Sequence, residues 1–81
     1  PFNPITSFRY DLPEDNFVTL TIYSMLGRRI IQLVNTSQEA GLKSVKWNSI
    51  DSIGKPISAG VYLYQIRAGE FVQTKKMVLL K

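Results

Sequence analysis

Hydrophobic and polar residues alternate along most of this chain with a period of two, and clusters of turn-forming residues interrupt the alternation at roughly ten-residue intervals. No segment sustains the 3.6-residue period of an amphipathic helix. Short antiparallel strands at this spacing are typical of a β-sandwich or a β-barrel, and the total of six or seven strands fits a compact sandwich. The pattern therefore predicts an all-β fold, an immunoglobulin-like antiparallel β-sandwich of about seven short strands.

The alternation places six strands clearly and leaves room for a seventh. We predict strands at residues 6–12, 17–24, 29–35, 42–48, 60–67 and 70–80. The third is the least regular, because Ile30, Ile31, Leu33 and Val34 do not alternate cleanly. A β-bulge near Gln32 and a single helical turn fit this segment equally well.

Turns and the core follow from the same pattern. Residues 35–41 are polar and end in glycine, so they predict a loop. Ala68 and Gly69 predict a tight hairpin between the last two strands. Neither face of the last strand is purely apolar, which favours a bulge near Lys75 and Lys76. Trp47 is the only tryptophan and is the best candidate for the centre of the core.

Composition argues against catalysis. The chain has 81 residues, no cysteine and no histidine, so it lacks thiolate ligands, the commonest general base and the most frequent metal ligand. The longest apolar runs are far too short for a transmembrane segment. We therefore expect a single domain over residues 1–81 that is not an enzyme and that binds no cofactor or metal.

Two acidic groups have ordinary structural explanations. Glu14 and Asp15 are neighbours in one turn, whereas paired acid–base catalysis needs carboxylates on separate elements. Asn48, Asp51 and Ser52 offer oxygen atoms to calcium but include one carboxylate, and an Asx-type turn explains them better.

The basic residues do not predict a nucleic-acid surface. Net charge is +4, but no run of Arg or Lys exceeds two residues, and the aromatic residues alternate as core residues do. We therefore expect no nucleic-acid partner.

The end of the chain is its most unusual segment. Residues 75–81 form an apolar stretch bracketed by lysines. One interpretation is a last sandwich strand whose lysines protect it from aggregation. The other is a terminal strand that a partner recognises through its side chains, its carboxylate or strand addition. The residues alone favour the first interpretation.

Motifs along the whole chain resemble a known family. The matching positions are Pro1 to Thr6, Phe8 to Pro13, Val18-x-Leu20-x-Ile22-Tyr23, Gly27, Leu33 to Asn35, Ala40-Gly41, Val45-x-Trp47, Asp51-x-x-Gly54-Lys55-Pro56, Gly60-Val61-Tyr62-x-Tyr64, Ala68-Gly69 and Lys75-Lys76-Met77-x-Leu79-x-Lys81. Their order and spacing resemble the type A C-terminal sorting domain of the type IX secretion system. That domain is similar in fold to the immunoglobulin-like domain of flagellar hook-capping proteins.

The resemblance implies a non-catalytic sorting domain at the end of a longer secreted precursor. Its partners would be the outer-membrane translocon and shuttle proteins of the type IX system, a sortase-like cysteine peptidase, and an N-terminal cargo domain in the same chain. Its route would lead through the periplasm to the cell surface or the medium. The family's signal lies near the C-terminus, and it carries over here to Gly60, Val61, Tyr62, Lys75, Lys76, Met77, Val78, Leu79, Leu80 and Lys81.

Two rival functions fit the same residues. One is a structural immunoglobulin-like module that spaces or caps a cargo. The other is a module that binds surface glycan, for which an exposed Tyr23 or Tyr62 would be the platform.

Overall fold

The computed structural model describes residues 5–80. The motif at residues 1–4 and the predicted recognition residue Lys81 lie outside that range. Within it the chain forms six β-strands: β1 (Thr6–Leu12), β2 (Asn16–Ser24), β3 (Arg29–Gln38), β4 (Gly41–Trp47), β5 (Gly60–Ala68) and β6 (Phe71–Leu79).

The strands form two antiparallel sheets. The larger has the order β3-β2-β5-β6, and the smaller consists of β1 and β4. In the smaller sheet Thr6 pairs with Trp47 and Leu12 pairs with Gly41. The immunoglobulin-like all-β prediction is confirmed, with six strands in the described residues rather than about seven.

One core joins the two sheets, and all six strands contribute to it. Its buried apolar residues are Phe8, Leu12, Val18, Leu20, Ile22, Val34, Trp47, Tyr62, Ile66 and Leu79. Trp47 is 1% exposed, and its indole N–H donates to the carbonyl of Ile50 at 2.8 Å. The prediction of Trp47 as a core residue is thus confirmed.

Strand β3 is a bulged strand rather than a helical turn. Thr21 pairs with Gln32 while Leu20 pairs with Val34, so Leu33 is an extra residue. A second register shift follows between Ile22 and Tyr23. The prediction of a loop over residues 35–41 is wrong for most of its length, because β3 continues to Gln38. Polar residues occupy this extension because it is largely exposed.

The hairpin between β5 and β6 differs from the sequence prediction in two details. Its turn residues are Gly69 and Glu70, one position later than expected. The pairing of β5 with β6 continues through Lys75 and Lys76 without a register shift, so the predicted bulge is wrong. Gly69 has a φ of 62°, and a Cβ there would lie 2.6 Å from Nδ2 of Asn16, which explains the glycine.

Candidate functional site

Strand β6 carries five of the ten predicted recognition residues and lies at an edge of the larger sheet. It pairs with β5 along its full length, from Phe71 opposite Ala68 to Leu79 opposite Gly60. Seven of its nine residues are exposed. An edge strand presents unpaired backbone donors and acceptors to solvent, so this strand is open to a partner.

Exposure of β6 follows from the small size of the second sheet. The ring of Phe8 in β1 packs edge-on against Tyr64 in β5, with the ring centroids 4.9 Å apart. Of the β6 residues on this face, Phe71, Gln73 and Lys75 are exposed, whereas Met77 is half-buried and Leu79 is buried. The smaller sheet therefore covers β5 but leaves most of β6 uncovered. This explains why polar residues occur on both faces of β6.

Pairing with β5 divides the predicted recognition residues into two groups. Met77 lies opposite Tyr62, and Leu79 lies opposite Gly60, on the face that packs on the core. Leu79 is 2% exposed. Tyr62 is buried as well, whereas Gly60 and Met77 are half-buried, and these four residues hold the strand in the sandwich.

The second group is exposed, and we call it the terminal-strand surface: Val61, Lys75, Lys76, Val78 and Leu80. Val78 pairs with Val61 on the outer face of the sheet, and Val78 and Leu80 are 63% and 74% exposed. The surface combines apolar contact area with two cations beside an open strand edge. Such a combination can bind an extended peptide by strand addition or bind an anionic apolar surface.

Tyr62 is buried, contrary to its proposed use as an exposed glycan platform. It is 8% exposed, and its hydroxyl donates to the carbonyl of Ser58 at 2.6 Å. The glycan prediction is therefore wrong for Tyr62. The other candidate, Tyr23, is half-buried at the end of β2.

Acidic residues serve the turns that carry them. An oxygen of the Asp51 carboxylate accepts hydrogen bonds from the backbone N–H groups of Ile53 and Lys55, at 3.0 and 2.9 Å. This confirms the Asx-type turn. Asp15 accepts from the backbone N–H of Ala40 at 2.8 Å and so ties two turns together. Within residues 5–80 no group of three or more acidic side chains is placed to hold a metal ion.

An open groove lies near the start of β6, at the other end of that strand from Val78. Its volume is about 750 Å³, and it runs between β1 and the β5–β6 turn, with Leu12, Ile66 and Phe71 among its lining residues. None of the predicted recognition residues lines it. Recognition at β6 would thus involve a strand edge rather than this groove. Residues 5–80 contain no helix long and apolar enough to cross a membrane.

Comparison with known proteins gives a family match and two structural neighbours. The family model for the secretion system C-terminal sorting domain matches residues 1–80. The chain is similar in structure to FlgD from P. aeruginosa, with a TM-score of 0.73 and 20% identity over 94% of this chain and 61% of that one. It is also similar to FlgD from Xanthomonas campestris, a hook-capping protein, with a TM-score of 0.70 and 20% identity over 95% of this chain and 58% of that one.

At this identity the FlgD likeness shows the fold alone, and this chain spans about three-fifths of either FlgD chain. No curated protein sequence matches. The family match confirms the resemblance seen in the sequence motifs, and nothing in it points to catalysis. This chain therefore belongs to the secretion system C-terminal sorting domain family, whose members are the sorting signals of type IX secretion.

Proposed function

We propose that the translocon and shuttle proteins of the type IX system recognise this domain through the terminal-strand surface. The observation that carries the proposal is the position of β6 at the sheet edge, with seven of its nine residues exposed. A folded sandwich with an exposed edge strand can bind a partner by strand addition without unfolding.

In this proposal the two groups of residues have different tasks. Gly60, Tyr62, Met77 and Leu79 fix β6 in register on β5. Val61, Lys75, Lys76, Val78 and Leu80 present side chains to the partner. Lys81 lies outside the described residues and remains part of the proposed recognition segment. Replacement of the first group should damage the fold, whereas replacement of the second should damage recognition alone.

The proposed setting is a longer secreted precursor. Residues 1–81 would act as one sorting domain behind an N-terminal cargo in the same chain. The precursor would pass through the periplasm and leave by the outer-membrane translocon for the cell surface or the medium. A sortase-like cysteine peptidase would act on the domain during or after export.

An export assay tests the proposal. Residues 1–81 are fused behind a signal peptide and a folded fluorescent reporter in a host that has the type IX system. The test variant carries Lys75→Glu and Val78→Thr, two exposed positions on opposite faces of β6. The matched control is Leu42→Ser, because Leu42 is 85% exposed on β4 in the other sheet. Circular dichroism of each purified domain checks that all of them fold.

The parent and the Leu42→Ser fusion should reach the surface or the medium, while the folded test variant stays in the periplasm. If the folded test variant leaves as readily as the parent, β6 is not the recognised element. If all three remain inside, the domain is better explained as a structural immunoglobulin-like module that spaces or caps its cargo.

A further inference from the structure

The turns at the two ends of the sandwich carry opposite charge. The turns β1–β2, β3–β4 and β5–β6 lie at one end and hold four carboxylates, Glu14, Asp15, Glu39 and Glu70, and no Lys or Arg. At the other end, the β2–β3 turn holds Arg28, and the β4–β5 loop holds Lys55 and one carboxylate, Asp51. Arg29 follows at the first position of β3. The domain is thus electrically polar along its strands.

The basic end also exposes large apolar side chains at the tips of its turns. Leu26 is 96% exposed and Met25 is 51% exposed in the β2–β3 turn, and Ile53 is 75% exposed in the β4–β5 loop. We call residues 25–29 together with residues 51–55 the basic corner. Scattered apolar residues on a surface are ordinary, but here three of them occupy the tips of two turns that carry Arg28 and Lys55 and adjoin Arg29.

The β4–β5 loop is fastened to the start of β3, and the β2–β3 turn is closed by its own backbone hydrogen bonds. The backbone N–H of Ser52 donates to the carbonyl of Ile30 at 3.1 Å, which joins the β4–β5 loop to the start of β3. In the β2–β3 turn the backbone N–H of Gly27 donates a hydrogen bond to the carbonyl of Ser24 at 2.9 Å, which closes the turn. The tips therefore form one preformed surface, and binding would not have to order it.

Asp51 does not cancel the positive charge of this corner. Its carboxylate faces the backbone N–H groups of Ile53 and Lys55, to which it is hydrogen-bonded. Its charge is thus directed into the turn, whereas Arg28, Arg29 and Lys55 are exposed. Three cations against one carboxylate leave the corner with a formal charge of +2.

We propose that the basic corner docks on an anionic lipid surface, with Leu26 and Ile53 entering the headgroup region and Arg28, Arg29 and Lys55 contacting lipid phosphates. Apolar tips flanked by cations are the combination that binds the interface of an anionic bilayer. Nucleic acid fits less well, because residues 25–29 and 51–55 include no aromatic side chain on which a base could stack. This role goes beyond sorting, and it uses a different part of the sandwich from β6.

The charge at the far end gives the docking an orientation. The same lipid surface that attracts the basic corner repels the four carboxylates of the opposite turns. Leu79, the last residue of β6, lies at the same end of the sandwich as the basic corner, but the β2–β3 turn and β6 are at opposite edges of the larger sheet. Docking at the basic corner would therefore bring the end of β6 toward the lipid and leave Lys75 and Lys76 farther from it.

Vesicle sedimentation with the 81-residue chain tests the proposal. One vesicle preparation contains phosphatidylcholine alone, and the other contains about one-third phosphatidylglycerol. The wild-type chain should bind the anionic vesicles and not the neutral ones, and binding should weaken between about 0.1 M and about 0.5 M salt. Arg28→Gln with Lys55→Gln should weaken binding by roughly fivefold for each charge removed.

The apolar part of the proposal has its own variant and control. Leu26→Ser with Ile53→Ser should weaken binding to anionic vesicles at least tenfold and leave the circular dichroism spectrum unchanged, because both side chains are exposed. Leu42→Ser removes an equally exposed leucine from β4 and should bind as the wild type does.

Several results would overturn the proposal. The proposal fails if the wild-type chain stays in the supernatant with anionic vesicles at low salt. It also fails if Leu42→Ser weakens binding as much as the Leu26→Ser and Ile53→Ser variant does. If the Leu26→Ser and Ile53→Ser variant binds as the wild type does while heparin, a soluble polyanion, displaces the chain from the vesicles, that result would identify a polyanion as the ligand instead. If analytical ultracentrifugation shows a dimer of the wild type and a monomer of this variant, the occupant of the basic corner is a second copy of the chain.

Discussion

At the scale of single residues, Trp47 shows how a side chain combines burial with a polar contact. It is 1% exposed, and its indole N–H donates to the carbonyl of Ile50 at 2.8 Å just beyond the end of β4. A buried tryptophan fills a large volume and needs a partner for its N–H. Here the partner is the first part of the β4–β5 loop, so the core residue also positions that loop.

We predict that Trp47→Phe lowers the free energy of unfolding by about 2 kcal/mol, through lost apolar contact and an unsatisfied carbonyl at Ile50. Urea unfolding followed by far-UV circular dichroism measures this, since the variant lacks the only tryptophan fluorophore. Phe17→Leu is the control, because Phe17 is 53% exposed and should change the free energy by less than about 0.5 kcal/mol. Equal losses in the two variants would contradict the prediction.

The sequence allowed Trp47 to be placed in the core but not Tyr62. Alternation in β5 separates two faces, and both contain large apolar or aromatic residues. Which face meets the smaller sheet depends on the pairing of β2 with β5, where Ile22 lies opposite Tyr64 and Ser24 opposite Tyr62. That pairing joins distant parts of the chain, and it cannot be predicted from the period-two pattern of a single strand.

At the scale of elements, the two sheets are also joined by a polar contact. The hydroxyl of Tyr10 in β1 donates to the side-chain carbonyl of Gln38 in β3 at 2.6 Å. Burial raises the pKa of Tyr10 above its ordinary value of 10.0. The folded chain therefore favours the neutral phenol over the phenolate.

This raised pKa predicts a loss of stability in alkaline solution. The contribution of Tyr10 is fully present below pH 10.0, the ordinary pKa, and is lost as the pH rises through the raised pKa of the folded state. The melting temperature of the wild type should thus fall more steeply than that of Tyr10→Phe between about pH 9 and about pH 11.5. Parallel curves for the two proteins would show that Tyr10 has no part in this loss, and Phe17→Leu should keep the wild-type slope.

Strands β3 and β6 mark the limit of prediction from pattern. Residues 6–12 alternate regularly, and the sequence predicts β1 with the bounds it has. In β3 two register shifts break the alternation, and a bulge cannot be told from a helical turn by periodicity over so short a segment. In β6 polar and apolar residues occur on both faces, which suggested a bulge. The cause is that the smaller sheet does not extend over most of β6. The sequence of one strand does not report whether another sheet lies over it.

At the scale of the whole molecule, one core holds both sheets. The smaller sheet has two strands, and such a pair is marginal in water without packing against a partner. Its strands β1 and β4 are far apart in the chain, so their pairing must offset the entropy cost of closing a long loop. Neither sheet should persist when the other is lost.

We therefore predict a single cooperative unfolding transition. Fluorescence of Trp47 reports on the smaller sheet, and far-UV circular dichroism is dominated by the larger one. The two signals should give the same urea midpoint within error. A fluorescence midpoint at lower urea than the dichroism midpoint would show that β1 and β4 separate first, and the idea of one shared core would then fail.

The placement of the two outermost strand ends has a mechanical consequence. Thr6, at the start of β1, and Leu79, at the end of β6, lie at the same end of the sandwich, but their strands are not paired with each other. A pull that separates these two points loads the hydrogen bonds of each strand in sequence, beginning with the Thr6–Trp47 and Leu79–Gly60 pairs. The strands would peel away one bond at a time instead of shearing together, so a modest steady tension is enough to unravel the domain from both sides.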